Sequence, residues 1–427
     1  MKLKKRLTAF VLCALWSLAV CSGCSDSGAY RESQEPTKRE QTKAATEAAA
    51  TATKETEEAE FADQDAAYTR IPKLTPGFAA DERDAYDFTE LALQNLEQIG
   101  KGLEARSGED SAQQDVVALG DWIVEELLRA GYRQDQIEQQ YFDYEDYRGR
   151  QSGRNLVLSV EGEDPSRQIL VGAHYDGDGV GDNGSGVALL LANAVGLAKT
   201  KPHYTLRYIF FDAEEVGCEG SKFYSRQMTP EEVRSTLYMV NLDAIAFGDY
   251  CNLYGGDPVN IKDERTTQDD RTEAYTFAAD TAEMLGFRVL RTEDLDGYFE
   301  VHGSGPEIRA DTLYTNPWTA DHPSPANYSV PSPATLPASD HVGFAERDIA
   351  YIYFEATNWF AEGENDEVEA TSYTGYVETY DSTLGVHGMF MNTEYDTWTN
   401  LNQFFPGRAE EHFRLYSPLL SALLLAK

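Results

Sequence analysis

The stretch QILVGAHYDGDGVGDNGSGVALLLANAVG, Gln168–Gly196, contains in succession a predicted strand, a glycine-rich turn and a predicted helix. The strand is apolar up to its tip, where His174 and Asp176 follow, and Asp182 stands just before the helix. An almost continuous apolar run of this length is typical of a central strand that is covered on both faces. In open α/β sheets, sites lie at the carboxyl ends of strands. The stretch therefore predicts a strand–turn–helix unit with functional side chains at the strand tip.

The same alternation continues on both sides of this stretch. Further β-rich runs are NLVLSVEG, TLRYIFFDAEE, LYMVNLDAI and IAYIYFEA, and helical spacing of apolar residues appears in DERDAYDFTELALQNLEQIGKGL, QQDVVALGDWIVEELLRAGY, RTEAYTFAADTAEMLGF and RAEEHFRLYSPLLSALLLAK. This order predicts an α/β fold, with a largely parallel twisted sheet and helices on both faces.

Several predicted strands end in residues that can bind a metal. These residues are His174, Glu214, Glu215 and Asp243, with Asp182 in the turn between the first strand and its helix. Each has an ordinary alternative: a core histidine, solvated glutamates, or a helix cap in the case of Asp182. Several carboxylates packed together without a cation would be costly. Mixed histidine and carboxylate ligands suit zinc, so the pattern predicts a zinc site.

The motifs GAHYD, DNGSG, EEVGCEGS, NLD and SDHVGF occur in this order between Asn155 and Gly407. In combination they resemble the co-catalytic zinc aminopeptidases, a family that includes secreted bacterial leucyl aminopeptidases, glutamate carboxypeptidase-like enzymes and glutaminyl cyclases. The resemblance implies a zinc-exopeptidase-like fold, one or two zinc ions per chain and a peptide substrate. It further implies an aminopeptidase that removes N-terminal residues by attack of a metal-activated water.

The resemblance also implies a role for each residue that matches a motif. His174 and Asp243 would hold one zinc, Asp182 would bridge both ions and Glu215 would hold the other. Glu214 would be the general base, which takes a proton from the water and gives it to the leaving amine.

Two further motif residues would support this centre. Asp176 would orient His174. His341, in the Ser339–Asp340–His341 motif, would either contact the substrate or brace its loop.

One ligand departs from the family pattern. The family has His-Thr-x-x-Asp-Thr, whereas this chain reads NTEYDT from Asn392 to Thr397, so Asn392 stands where the fifth ligand is expected. His387 is five residues upstream, an odd offset that would point it to the other face of an extended segment. Four outcomes stay open: a weakened second zinc, a one-zinc enzyme, a non-catalytic peptide-binding domain, or substitution by His387.

The N-terminal part of the sequence predicts export and anchoring. Residues 1–24 have a basic start and an apolar run, as in a signal peptide, and CSGC resembles a lipoprotein processing site with Cys24 as the lipidated residue. Cys21 is the alternative site, and free secretion is the alternative fate. Residues 25–65 are rich in Ala, Thr, Glu and Lys and predict a disordered tether. Residues 66–427 form the predicted metallopeptidase domain, which is expected to be extracellular and membrane-anchored.

Net charge and cysteine content bear on nucleic-acid binding and on disulfide formation. The formal net charge of -37 argues against nucleic acid, because an acidic surface repels phosphates. Beyond the leader the cysteines are Cys218 and Cys251, which could form one disulfide or remain thiols. The sequence leaves the oligomeric state open.

A proline- and aromatic-rich segment at about residues 302–341 interrupts the α/β rhythm and predicts either a lid over the site or a surface insertion. Its Tyr314, Trp318 and Tyr328 could line an apolar side-chain pocket or simply pack. Glu355 is one candidate acceptor for a substrate amine. Arg309 is the only suggestion of a carboxylate-binding residue, as a carboxypeptidase would need, and nothing favours an N-terminal glutamine as a cyclase would need.

Overall fold

The structure is a computed structural model that describes residues 71–105, 112–256, 272–295, 298–302, 305–317, 333–335, 338–358, 390–391 and 393–427. These residues all belong to the compact unit Arg70–Lys427. The predicted leader and tether, including Cys24, lie outside the described residues.

The described residues form one mixed sheet. Its strands are β1 (Ile137–Asp146), β2 (Gly149–Val160), β3 (Asp164–His174), β4 (Tyr204–Phe211), β5 (Thr236–Leu242), β6 (Tyr250–Gly255), β7 (Arg288–Val289), β8 (Thr312–Tyr314) and β9 (Tyr351–Thr357). Their order in the sheet is β1-β2-β4-β3-β5-β9-β6-β8-β7. The centre, β4-β3-β5-β9, is parallel throughout. Antiparallel pairing joins β1 to β2, β2 to β4 and β6 to β9.

Helices cover both faces of this sheet. They are α1 (Thr89–Ala105), α2 (Ala112–Ala130), α3 (Gly184–Gly196), α4 (Glu219–Gln227), α5 (Pro230–Ser235), α6 (Glu273–Met284), α7 (Thr292–Leu295), α8 (Tyr298–His302), α9 (Val342–Ala345), α10 (Trp398–Phe404) and α11 (Arg408–Leu424). The α/β prediction is confirmed.

The helix α3 shows why the sequence folds in this way. It is buried along almost its whole length, because residues such as Leu189, Leu190 and Leu191 are apolar on every side of the helix. It lies in the main core with α1 and α11, so its amino end is held rigidly beside the tip of β3. On the opposite face a smaller core forms, in which Phe211 contacts Phe344 with ring centroids 5.9 Å apart.

Two features of the fold differ from the sequence expectation. The segment 302–341, in which no strand was predicted, contributes the three-residue strand β8, which is too short to produce a period. The edge strand β1 and the strand β6 were not predicted either. Among the described residues, no helix is both long and apolar enough to cross a bilayer.

Candidate metal centre

His174 is the last residue of β3, and the two strands beside β3 deliver the other polar residues. The strand β4 ends at Phe211, three residues before Glu214, and β5 ends at Leu242, one residue before Asp243. Because β3, β4 and β5 are parallel neighbours, their carboxyl ends meet at one edge of the sheet. The predicted ligands from these strands therefore lie together.

The imidazole of His174 is at the centre of the cluster. Its Nε2 lies 3.1 Å from Asp182 Oδ1, 3.3 Å from Asp243 Oδ1 and 3.9 Å from Glu214 Oε2. His174, Asp182 and Asp243 can each offer one ligand atom within 4.8 Å of the others, and so can His174, Glu214 and Glu215. The side chain of Glu214 keeps 13% of its surface exposed, so solvent reaches it.

The electrostatics of this cluster favour a cation. Burial, and then the neighbouring carboxylates, raise the pKa of Asp182, and they raise the pKa values of Glu214 and Glu215 well above the usual range. Burial opposes a charge on His174, but Asp243 and Glu214 outweigh it and hold its pKa well above normal. Crowded carboxylates of this kind are costly, and a divalent cation removes that cost. One imidazole with several carboxylates is a donor set that fits zinc.

Asp176 contacts both His174 and the backbone of the two glutamates. Its Oδ1 lies 3.4 Å from Nδ1 of His174. The same carboxylate accepts backbone hydrogen bonds from Glu214 N at 3.1 Å and Glu215 N at 3.2 Å. One side chain thus ties the histidine at the end of β3 to the glutamates that follow β4.

Asp243 is held by a chain of hydrogen bonds. Asn241 Nδ2 donates to Ser339 Oγ at 2.7 Å, and Ser339 Oγ donates to Asp243 Oδ2 at 2.6 Å. Burial raises the pKa of Asp243, but His174 and then the Ser339 hydroxyl outweigh it, so the net pKa lies below normal. The role of Asn241 was missed in the sequence, although its position two residues before Asp243 on a strand places both on one face.

The other two residues of the SDH motif are also buried. Burial raises the pKa of Asp340 to about 7. The His341 ring packs against Tyr351 and Tyr353, with centroids 4.6 and 4.8 Å away. This packing favours the bracing interpretation of His341 over direct contact with a substrate.

The helix-cap interpretation of Asp182 is wrong. The residue that caps α3 is Asn183, whose side chain accepts a hydrogen bond from Gly186 N at 3.0 Å. The peptide bond between Asp182 and Asn183 is cis. The carboxylate of Asp182 is therefore available to the cluster.

The two charged residues considered for substrate binding, Glu355 and Arg309, both have partners within the protein. Glu355 is buried, with hydrogen bonds from Tyr353 and Thr357, and burial raises its pKa to about 8. Arg309 is bound by Asp311 at 2.9 Å, and its pKa is raised by that pairing, so it is engaged on the surface.

Tyr314 packs edge-on against Tyr250, and its hydroxyl donates to the carbonyl of Glu307 at 2.8 Å, which favours ordinary packing over a pocket wall. Cys218 and Cys251 are buried free thiols, so the disulfide alternative is wrong. Asn392, His387, Trp318 and Tyr328 lie outside the described residues.

Comparisons with known proteins agree with this arrangement. Residues 155–293 match the model of peptidase family M28. An aminopeptidase of Pseudomonas aeruginosa is 38% identical over 108 residues, which are 24% of this chain and 20% of that protein. Leucine aminopeptidase 2 of Trichophyton rubrum is 32% identical over 108 residues, or 24% of this chain and 22% of that protein. The matched part thus spans about a fifth of the length of these curated relatives.

The fold has a solved counterpart in the glutaminyl cyclase of Macrostomum lignano. That structure has a TM-score of 0.51 and 14% identity, and the match covers 84% of this chain and 96% of that one. The described residues thus form an α/β fold with a candidate metal centre at the carboxyl ends of its parallel strands. The similarity to peptidase family M28 lies in residues 155–293, which carry His174, Asp182, Glu214, Glu215 and Asp243.

Proposed function

We propose that this protein is a zinc-dependent exopeptidase that acts as an aminopeptidase. The observation that carries the proposal is the convergence of Asp182 and Asp243 on Nε2 of His174, with Glu214 and Glu215 at the same sheet edge. The names of the matched relatives, aminopeptidase and leucine aminopeptidase 2, support the choice of an aminopeptidase.

We assign the ligands the roles that the family resemblance implies. His174, Asp182 and Asp243 would hold one zinc ion, and Asp182 with Glu215 would contribute to a second. Zinc at this place supplies Lewis acidity toward the scissile carbonyl oxygen and toward the attacking water. Asn392 would make the second position weaker, because an amide oxygen is a poorer zinc ligand than an imidazole.

Glu214 is the residue that would move the proton. It follows a strand that ends at the cluster, it remains partly open to solvent, and its neighbour Glu215 is free to serve as a ligand. Cys218 Sγ donates to Glu214 Oε1 at 3.3 Å, which limits the directions this carboxylate can take. Glu214 would accept a proton from the attacking water and deliver it to the amine that leaves.

The experiment is hydrolysis of a panel of aminoacyl amides by the full chain with added zinc. We expect release of the N-terminal amino acid, and a loss of about 10²–10⁴-fold in kcat for Glu214→Gln. Glu219→Gln makes the same change at the first residue of α4 and should retain activity. Release of ammonia from an N-terminal glutamine alone would indicate a cyclase instead, and zinc binding without turnover would indicate a non-catalytic domain.

We further propose that the protein is a lipoprotein anchored through Cys24 on the outside of the membrane. The support is the basic and apolar leader that ends in CSGC, followed by a polar tether. Metabolic labelling with an alkyne fatty acid should mark the wild type and Cys21→Ser but not Cys24→Ser. Labelling that depends on Cys21 would move the anchor to that residue.

A further inference from the structure

Asp396 has a buried carboxylate that accepts hydrogen bonds from the backbone of the loop that carries Asp182. Its Oδ1 accepts a hydrogen bond from Gly181 N at 2.6 Å, and its Oδ2 accepts one from Asp182 N at 3.0 Å. Its backbone carbonyl accepts a third from Val180 N at 3.3 Å. Asp396 thus accepts hydrogen bonds from three consecutive N–H groups, those of Val180, Gly181 and the candidate ligand Asp182 itself.

The loop is built to admit this carboxylate. A Cβ atom on Gly179 would overlap Asp396 Oδ2, and a Cβ on Gly181 would stand 3.2 Å from both carboxylate oxygens and 2.7 Å from the Phe247 ring. Glycine at these two positions therefore allows the close approach of Asp396.

The loop is fixed on its other side by Asn183. The Asn183 amide donates to the carbonyl of Leu242 at 2.9 Å, and its oxygen accepts from Ala244 N at 3.2 Å. Leu242 and Ala244 flank Asp243. The backbone of Asp182 is consequently held between Asp396 and the segment that carries Asp243.

The segment of Asp396 is itself anchored. Phe390 stacks on Phe247 with centroids 4.6 Å apart, and Thr397 caps α10 by accepting from Asn400 N at 3.2 Å. These contacts leave Asp396 little freedom to move away from the loop.

We propose that Asp396 is a positioning residue for the metal centre, which acts by holding the backbone of Asp182 so that its carboxylate faces His174. The inference rests on the proposed zinc site and deepens it. Residues that orient a ligand from outside the coordination sphere typically change metal affinity by about 10–100-fold when they are replaced. A residue that only braced the loop would change stability and leave the affinity of the folded protein unaltered.

The test is the zinc dissociation constant of the full chain, measured by competition with a chromophoric chelator. Asp396→Asn cannot accept both backbone hydrogen bonds, so we expect a zinc affinity about 10–100-fold weaker in folded protein. The matched control is Asp249→Asn, another buried carboxylate, which accepts hydrogen bonds from Arg408 and Asn358. This control should lower the unfolding midpoint without weakening zinc binding.

The outcomes separate this inference from the function itself. Wild-type zinc affinity in folded Asp396→Asn, with a loss of stability like that of the control, would overturn the positioning role. Gly181→Ala places a Cβ 3.2 Å from both carboxylate oxygens. It should displace the carboxylate without removing it and weaken zinc binding in the same way, and it decides the question if Asp396→Asn does not fold. Absence of zinc binding in the wild type would refute the proposed function.

Discussion

His174 Nε2 and Asp243 Oδ1 lie 3.3 Å apart, although 69 residues separate them in the chain. They meet because one ends β3, the other follows β5, and these two strands are parallel neighbours. The contact joins an imidazole to a carboxylate whose second oxygen is already taken by Ser339. The direction of both groups is thus set before any ion arrives.

Removal of metal should lower the stability of the protein as well as its activity. A chelator leaves the carboxylates of the cluster without a cation, and zinc present at a hundred times its dissociation constant stabilises a fold by about 2.7 kcal/mol. Thermal unfolding of the full chain, with zinc and after dialysis against 1,10-phenanthroline, measures this. Equal unfolding midpoints in the two samples would contradict a zinc site.

Ser339→Ala should weaken zinc binding through Asp243. The hydroxyl joins Asn241 to Asp243, and its loss frees one oxygen of the buried carboxylate. A hydrogen bond to a charged group contributes about 1.5–3 kcal/mol, so we expect zinc affinity to fall about tenfold or more. Ser235→Ala, at the end of α5, is the control that should bind zinc normally. Unchanged affinity in Ser339→Ala would remove Ser339 from the supporting network.

Asn392→His should tighten the second zinc. The expectation rests on the sequence motif, because Asn392 lies outside the described residues, and on the stronger binding of zinc by an imidazole. Zinc titration should show a higher affinity for the second equivalent, and hydrolysis should rise with it. Asn402→His adds a histidine on α10 and should do neither. No gain with Asn392→His would mean that the motif alignment is wrong.

His412 should make the protein less stable in mild acid. Burial, and then Arg408, lower its pKa from 6.5 to about 3, and its Nδ1 lies 2.8 Å from the carbonyl of Ile245. Below about pH 6.5, His412 binds a proton in the unfolded chain but stays neutral in the folded chain. The free energy of unfolding therefore falls as the pH falls from about 6.5 toward 3. The slope is about 1.4 kcal/mol per pH unit.

Urea unfolding of the wild type and His412→Asn at pH 7.5 and 5.0 checks this. The asparagine can keep a donor toward Ile245 but does not titrate. The wild type should lose about 2 kcal/mol more than the variant between these two pH values. Equal losses would show that His412 does not carry the effect.

The sequence predicted the parts of the site that depend on strand ends. An apolar run followed at once by His174 or Asp243 is a local signal, and parallel pairing brings such ends together. Supporting contacts such as that of Asn241 with Ser339 depend on how distant segments pack, which no local pattern contains. The capping of α3 by Asn183 rather than Asp182 was ambiguous, because both residue types cap helices.

The outer strands were harder to predict than the centre. β1 mixes exposed and half-buried residues, so its period is weak, and β7 and β8 have two and three residues. Segments this short gain their structure from pairing with neighbours rather than from their own sequence.

The most direct measurement is the rate at which the full chain, freed of metal, releases the N-terminal residue of a peptide as zinc is added. We predict a rate that rises with zinc and saturates at one or two equivalents. His174→Ala should abolish this rise, whereas His203→Ala, at a half-buried histidine near Glu163, should preserve it. No release at any zinc concentration, or release that persists in His174→Ala, would contradict a zinc exopeptidase centred on His174.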